Sequence, residues 1–155
     1  MQEYKLIPLT NVFDAIKVKN IRNESSLFMT SDTSQISLIR EVMWYFTKYL
    51  IHENSGRLKV FLFKKEGDVL GYGKIRIDTD KKQWITGVIS ENQRGKGLGN
   101  ILFKEIIDEV DSKEVWLEVL KSKNRAFNLY KKLGFKVINK TKRNKKDILV
   151  MQLLK

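Results

Sequence analysis

Gln93-Arg94-Gly95-Lys96-Gly97-Leu98-Gly99 is the stretch whose reading decides the fold. It packs three glycines and two cations between two apolar runs. Before it, Trp84-Ile85-Thr86-Gly87-Val88-Ile89 predicts a strand. After it, Leu98, Ile101, Leu102, Ile106 and Val110 recur at the spacing of one buried helical face. A strand that feeds a glycine loop opening a helix is a geometry for holding phosphate. Glycine lets the backbone approach closely and turn successive N–H groups toward an anion, and the helix start adds partial positive charge.

Outward from this loop the chain divides into short elements. Glu3 to Leu9 predicts a first strand, and Thr10 or Asn11 a cap for a helix carrying Val12, Phe13, Ile16 and Ile21. Asn23 to Ser34 is polar and predicts an ordered loop. Ser34 or Ser37 then caps a helix running to about His52, with Leu38, Ile39, Val42, Met43, Phe46 and Leu50 inward. Leu58 to Phe63 and Val69 to Ile77 predict a hairpin turning at Glu66-Gly67-Asp68. Beyond the helix that follows the glycine loop, Val115 to Leu120 predicts a strand, and Arg125 to Leu133 a helix ended by Gly134. Phe135 to Ile138 and Ile148 to Leu153 predict two last strands around an Asn139 to Asp147 loop. An antiparallel meander followed by a strand–helix–strand unit implies a mixed sheet covered by helices.

Composition narrows the chemistry. At 155 residues, residues 1–155 read as one domain with room for a sizeable core. The 42% hydrophobic and 31% charged content is ordinary for a globular protein. No run approaches a membrane helix, and Met1-Gln2-Glu3-Tyr4-Lys5 lacks the start of a signal peptide, so no membrane partner and a cytoplasmic location are expected. Without cysteine there is no thiolate nucleophile or disulfide, and one histidine, His52, poorly supports a metal site or a serine triad; no metal is expected. The net charge of +12 fits either a polyanionic partner or the solubility of a Lys-rich protein. Aromatics at core spacing and dispersed cations argue against a nucleic-acid-binding module.

Glycine spacing separates three phosphate-loop families. A P-loop needs Gly-Lys-Ser/Thr, but Leu98 follows Gly97. The dinucleotide fingerprint needs a third glycine where Asn100 stands. What fits is Arg94-x-x-Gly97-x-Gly99. Here the chain resembles the GNAT superfamily of acyl-CoA-dependent N-acetyltransferases. Asn124-Arg125-Ala126-Phe127-Asn128-Leu129-Tyr130-Lys131-Lys132-Leu133-Gly134-Phe135 is similar to that family's second motif. The two motifs together cover roughly residues 84 to 136.

The resemblance implies a mixed α/β (α+β) fold, with a mostly antiparallel central sheet of about seven strands flanked by about four helices. It implies acetyl-CoA as co-substrate, an acyltransferase reaction and a primary amine as acceptor, and dimers are common in the family. By resemblance, main-chain groups of Gly87, Val88 and Ile89 pair with pantetheine. The pyrophosphate falls to the backbone of Arg94, Gly95, Lys96, Gly97, Leu98, Gly99 and Asn100, with side-chain charge from Arg94, Lys96 and Lys131. At the family's asparagine position this chain has Lys123, and the adjacent Asn124 is the CoA-contact candidate. Tyr130 is implied as the general acid for the departing thiolate; its alternative is packing against Phe127 and Leu133.

Glu118 stands out independently, as a carboxylate in an apolar strand. Leu117-Glu118-Val119 also resembles the ribosomal-protein N-terminal acetyltransferases, in which that Glu is implicated in deprotonation; a structural ion pair is the alternative. Asn23, Met29, Thr30 and Tyr45 are acceptor candidates, and Trp44 is more suited to core packing. Ile21-Arg22-Asn23, Phe28-Met29-Thr30, Ile36-Ser37 and Trp44 resemble the N-terminal pattern of enzymes acting on nucleotide-linked amino-sugars or on ribosomal-protein N-termini. Lys140, Lys142, Arg143, Lys145 and Lys146 form either a solvated turn or a surface for an acidic acceptor such as a sugar nucleotide. A catalytically idle CoA-binding module is the remaining alternative.

Overall fold

Seven strands form one sheet in the order β1-β2-β3-β4-β5-β7-β6 in the computed structural model, which describes residues 3–155. In chain order they are β1 (Tyr4–Pro8), β2 (Leu58–Lys65), β3 (Asp68–Ile77), β4 (Gln83–Ile89), β5 (Glu114–Leu120), β6 (Lys136–Arg143) and β7 (Lys146–Leu154). Helix α1 (Val12–Glu24) follows β1, and a long helix made of α2 (Leu38–Trp44), a π turn (Tyr45–Tyr49) and α3 (Leu50–Asn54) precedes β2. Helix α4 (Leu98–Asp108) follows β4, and α5 (Asn124–Lys132) follows β5. Every strand pair is antiparallel except β4 with β5. The mixed sheet with four helical segments is the architecture implied by the motifs.

Strand alternation assigns the two faces. Phe61, Phe63, Ile75, Ile85, Val115, Leu117 and Met151 join Leu102, Phe103 and Ile106 of α4 in the larger core. Val60 joins Leu9, Ala15, Tyr45 and Tyr49 in a smaller core under α1 and the long helix. Gly73 and Gly87 face each other across β3 and β4 because α4 lies directly on them. A Cβ on Gly73 would sit 2.7 Å from the Ile106 side chain, and one on Gly87 would sit 2.9 Å from the Phe103 ring.

The long helix presents a different face from the one its apolar periodicity predicts. Ser37 is the cap, its side chain accepting from the Arg40 N–H. Glu41, Tyr45 and Tyr49 are buried, while Leu38, Ile39, Met43 and Phe46 lie exposed. Tyr49 decides the orientation. Its hydroxyl donates to the Leu9 carbonyl at 2.9 Å, and its ring stacks on Tyr45 at 5.5 Å and lies 5.3 Å from Trp44. The π turn accommodates one extra residue per turn. Phe13 on α1 is likewise outward, at 73% exposure.

The last hairpin also differs. β6 continues through Arg143, and Asn144 and Lys145 make a two-residue turn with φ of 51° and 62°. Asn tolerates the left-handed region, so the tight turn forms without glycine and replaces the expected loop. Every residue of β6 is exposed, and the strand forms one outer edge of the sheet.

Burial of Glu41 pushes its carboxyl up to about 7, against the pull of Lys19, Arg22 and Arg40. The folded state therefore holds this proton more tightly than the unfolded chain does. The stabilisation is complete below the ordinary value of 4.5 and is lost as pH rises through about 7. Glu41→Gln should stabilise the protein by on the order of 1–2 kcal/mol at pH 8 and by almost nothing at pH 4, as read from urea unfolding at the two pH values.

Candidate functional site

The parallel strands β4 and β5 are paired only at Gln83–Val115 and Trp84–Trp116. Beyond those residues they part, and the inner edge of each strand faces an opening rather than a neighbour. A cleft of about 1310 Å³ fills the gap, bordered by Thr86 to Ile89 of β4, Glu118 to Leu120 of β5, the glycine loop and one face of α5. This exceeds the roughly 300–1,000 Å³ of common small-molecule pockets and suits a long ligand.

At one end lies the glycine loop. Gly95 (φ +84°) and Gly97 (φ +77°) both adopt left-handed backbone, and Gly97 begins α4 without a side-chain cap. A Cβ at either glycine would meet open space, so backbone conformation rather than crowding selects glycine here. A helix start left uncapped in this way leaves N–H groups free to donate to an anion. Gly99 borders the cleft as well and packs under Leu129 of α5. Leu98 and Asn100 border the same end.

The Arg94 side chain takes a bracing position. Its guanidinium donates to the Ile89 carbonyl at 3.2 Å and to the Ser25 hydroxyl at 2.5 Å. Lys96 is exposed, donates to Gln93 Oε1 at 2.8 Å, and does not border the cleft. On α5 the residues that border it include Lys123, Arg125, Ala126, Asn128, Leu129 and Tyr130, whereas Asn124 and Lys131 do not.

Tyr130 lies at the cleft's inner wall, 9% exposed. Its ring meets Phe103 edge-on at 4.9 Å and Phe135 at 6.1 Å. Burial alone pushes its phenol well above the usual range, so it stays protonated at neutral pH. Across the opening, both Glu118 carboxylate oxygens accept from Arg143, at 2.9 and 3.1 Å. That bond in turn holds the Arg143 proton more firmly than usual.

A roof closes the other side of the cleft. Arg143 also donates to the Thr30 carbonyl at 3.4 Å, Lys146 donates to the Leu27 carbonyl at 3.1 Å, and the Lys123 ammonium lies 3.3 Å from the Phe28 ring centroid. Met29 and Thr30 consequently line the cleft. Asn23 lies behind this roof. Its amide bonds the Ile36 carbonyl and N–H, both at 2.9 Å, and ties the end of α1 to the loop before α2. Tyr45 lies in the smaller core, and His52 is exposed on α3; neither borders the cleft.

The sequence model of the Acetyltransferase (GNAT) family matches residues 20–135. The chain belongs to the GNAT acetyltransferase family. An N-alpha-acetyltransferase of Sulfurisphaera tokodaii is 31% identical over 121 residues, covering 68% of this chain and 71% of the relative. A Bacillus subtilis protein assigned as a [ribosomal protein bS18]-alanine N-acetyltransferase is 37% identical over 76 residues, covering 47% of this chain and 50% of its own. The fold also matches the Vibrio cholerae spermidine N-acetyltransferase solved with CoA and spermine, with a TM-score of 0.79 at 17% identity over 97% of this chain and 95% of that one.

In this GNAT acetyltransferase the cleft also gathers residues that motif spacing does not mark. Ser25 braces Arg94, and Lys74, Arg76, Trp84 and Thr86 line the cleft. A lysine between glycine and isoleucine in β3 is as anomalous as Glu118 in β5, and that was the available signal. The brace between Arg94 and Ser25 makes a specific expectation. Arg94→Ala should lower stability by about 1.5–3 kcal/mol, the worth of a hydrogen bond to a charged group. Amide exchange in Ser25 to Thr30 should accelerate selectively.

Proposed function

We propose that the protein transfers an acetyl group from acetyl-CoA to a primary amine by direct attack. The observation that carries this reading is the parting of β4 and β5, with the glycine loop at one end of the gap and Tyr130 and Glu118 on its walls. The inner edges of Gly87, Val88 and Ile89 are available to pantetheine as a strand would be. The backbone from Arg94 to Asn100 is available to the pyrophosphate, and Lys123 just before α5 borders the same cleft. The fit is chemical as well as spatial, because left-handed glycines and an uncapped helix start together select an anion.

In the reaction the neutral amine nitrogen bonds to the thioester carbonyl carbon. Main-chain N–H groups of β4 stabilise the negative charge that develops on its oxygen. As the carbon–sulfur bond breaks, Tyr130 donates its phenolic proton to the departing thiolate and is reprotonated from solvent. Glu118, held in place by Arg143, takes the proton that the amine nitrogen loses, directly or through water. The strongly raised Tyr130 keeps this proton available across the neutral range. Tyr130→Phe should lower kcat by about 10²-fold or more while acetyl-CoA protection against thermal unfolding is retained. Undiminished turnover would remove Tyr130 from the proton-transfer role.

For the acceptor we propose a small amine, with an amino-sugar nucleotide favoured, and for the location the cytoplasm. The basic hairpin that places Arg143 at the cleft supports this choice. Acetylation of a protein N-terminus is the second reading, favoured by what the Sulfurisphaera and Bacillus relatives are named for. Incubation with acetyl-CoA and a panel of 4-amino-sugar nucleotides, N-terminal peptides and polyamines separates the two. Turnover of peptides alone would establish the second reading.

A further inference from the structure

Among the described residues, the acceptor wall carries a cation without an acidic partner. In β3, Gly73 and Ile75 face α4, so Lys74 and Arg76 project to the opposite face, where Glu118 and the loop from Phe28 to Ser31 lie. Lys74 stands beside Thr86 and Arg76 beside Trp84 in the β3–β4 register. Both line the cleft. Along β4 at ~3.3 Å per residue, Trp84 beside Arg76 lies roughly 17 Å and Thr86 beside Lys74 roughly 10 Å from Ile89, where the glycine loop follows, so both cations stand apart from that loop.

No carboxylate neutralises Lys74 among the described residues. Burial above all, and then the like charges of Arg76 and Arg22, push its ammonium below the ordinary lysine range. Arg22 itself is engaged by the Ser34 and Asp32 carbonyls. Glu118, the acid lining the cleft, has both oxygens on Arg143. Asp78, near Arg76, accepts from the Trp84 indole at 2.7 Å and from the Asp80 and Lys82 N–H groups. A desolvated cation surrounded by like charge is costly unless an anion arrives to share its site. Low-dielectric walls focus that positive potential into the cleft.

We infer that Lys74, with Arg76 at its rim, forms an anion subsite on the acceptor wall, and that the amine acetylated here carries a carboxylate or phosphate group. The inference rests on the acetyl-transfer reading and adds the acceptor's charge class. A polycation such as spermine would meet repulsion at this wall. The reacting amine would sit between Glu118 and the thioester while the anionic group reaches back toward Lys74.

Matched amine pairs test the subsite: a hexosamine against its 6-phosphate, and 3-aminopropanol against 3-aminopropanoate. Wild-type kcat/KM should favour one anionic member by about tenfold or more, consistent with a hydrogen bond to a charged group. The pair that shows the preference identifies phosphate or carboxylate. In Lys74→Met the ratio within that pair should collapse toward one, and Lys74→Arg should restore part of it. An unchanged ratio in Lys74→Met, or a wild-type preference for neutral amines or spermine, would overturn the subsite. If no amine is acetylated, the transfer reading fails separately. NMR titration of inorganic phosphate and acetate into the CoA-saturated protein then decides. Binding in wild type that Lys74→Met loses supports the subsite, and no binding to wild type overturns it.

Discussion

The architecture depends on an incomplete strand pairing. β4 and β5 run parallel, and a parallel pair is normally sealed along its length by evenly spaced hydrogen bonds. Here the ladder stops after Trp84 and Trp116. Each strand is meanwhile secured on its other side, β4 by seven registered positions on β3 and β5 by seven on β7. The strands can therefore diverge without either being lost from the sheet. Divergence exposes main-chain groups in a place walled by protein, and a ligand able to pair with an extended backbone is the natural complement.

Rigidity around the opening comes from both faces. Gly73 and Gly87 let α4 settle onto β3 and β4 so that Phe103 reaches the Tyr130 ring. On the other face, the segment after α1 is tied to the glycine loop through Arg94 and Ser25, and through the Glu91 N–H donating to the Glu24 carboxylate at 3.0 Å. The same segment is tied to the final hairpin through Arg143 and Lys146. The two ends of the cleft are thus joined by one short stretch of chain. The glycine-loop end and the hairpin end of the cleft therefore share one set of tethers.

Much of this was legible before any coordinates. The glycine loop and the Leu-Tyr to Gly-Phe frame lie in local sequence, because turn geometry and helix starts have local chemical causes. The orientation of the long helix was not legible. Ile39, Met43 and Phe46 form a convincing apolar stripe, yet Tyr49 claims the interior through a carbonyl forty residues away, with Tyr45 stacked on it. The Asn144-Lys145 turn carried no glycine to announce it. Glu118 was conspicuous in β5, but its partner Arg143 belongs to a distant strand, and no periodicity links the two. Asn23 shows a side chain whose hydrogen bonds no local pattern announces: its amide holds Ile36 across thirteen residues, behind the loop that roofs the cleft.

The exposed outer strand has a colloidal consequence. An edge strand offers unpaired N–H and C=O groups on which another molecule's strand could grow. β6 has Val137 and Ile138 partly exposed, which would favour such growth. Its register slips between Val137 and Asn139, which bends the edge away from a flat ribbon. Lys136, Lys140 and Lys142 add a row of like charges that two approaching edges would have to bring together. The hairpin that presents Arg143 to the cleft thereby also keeps neighbouring molecules from fusing into a continuous sheet.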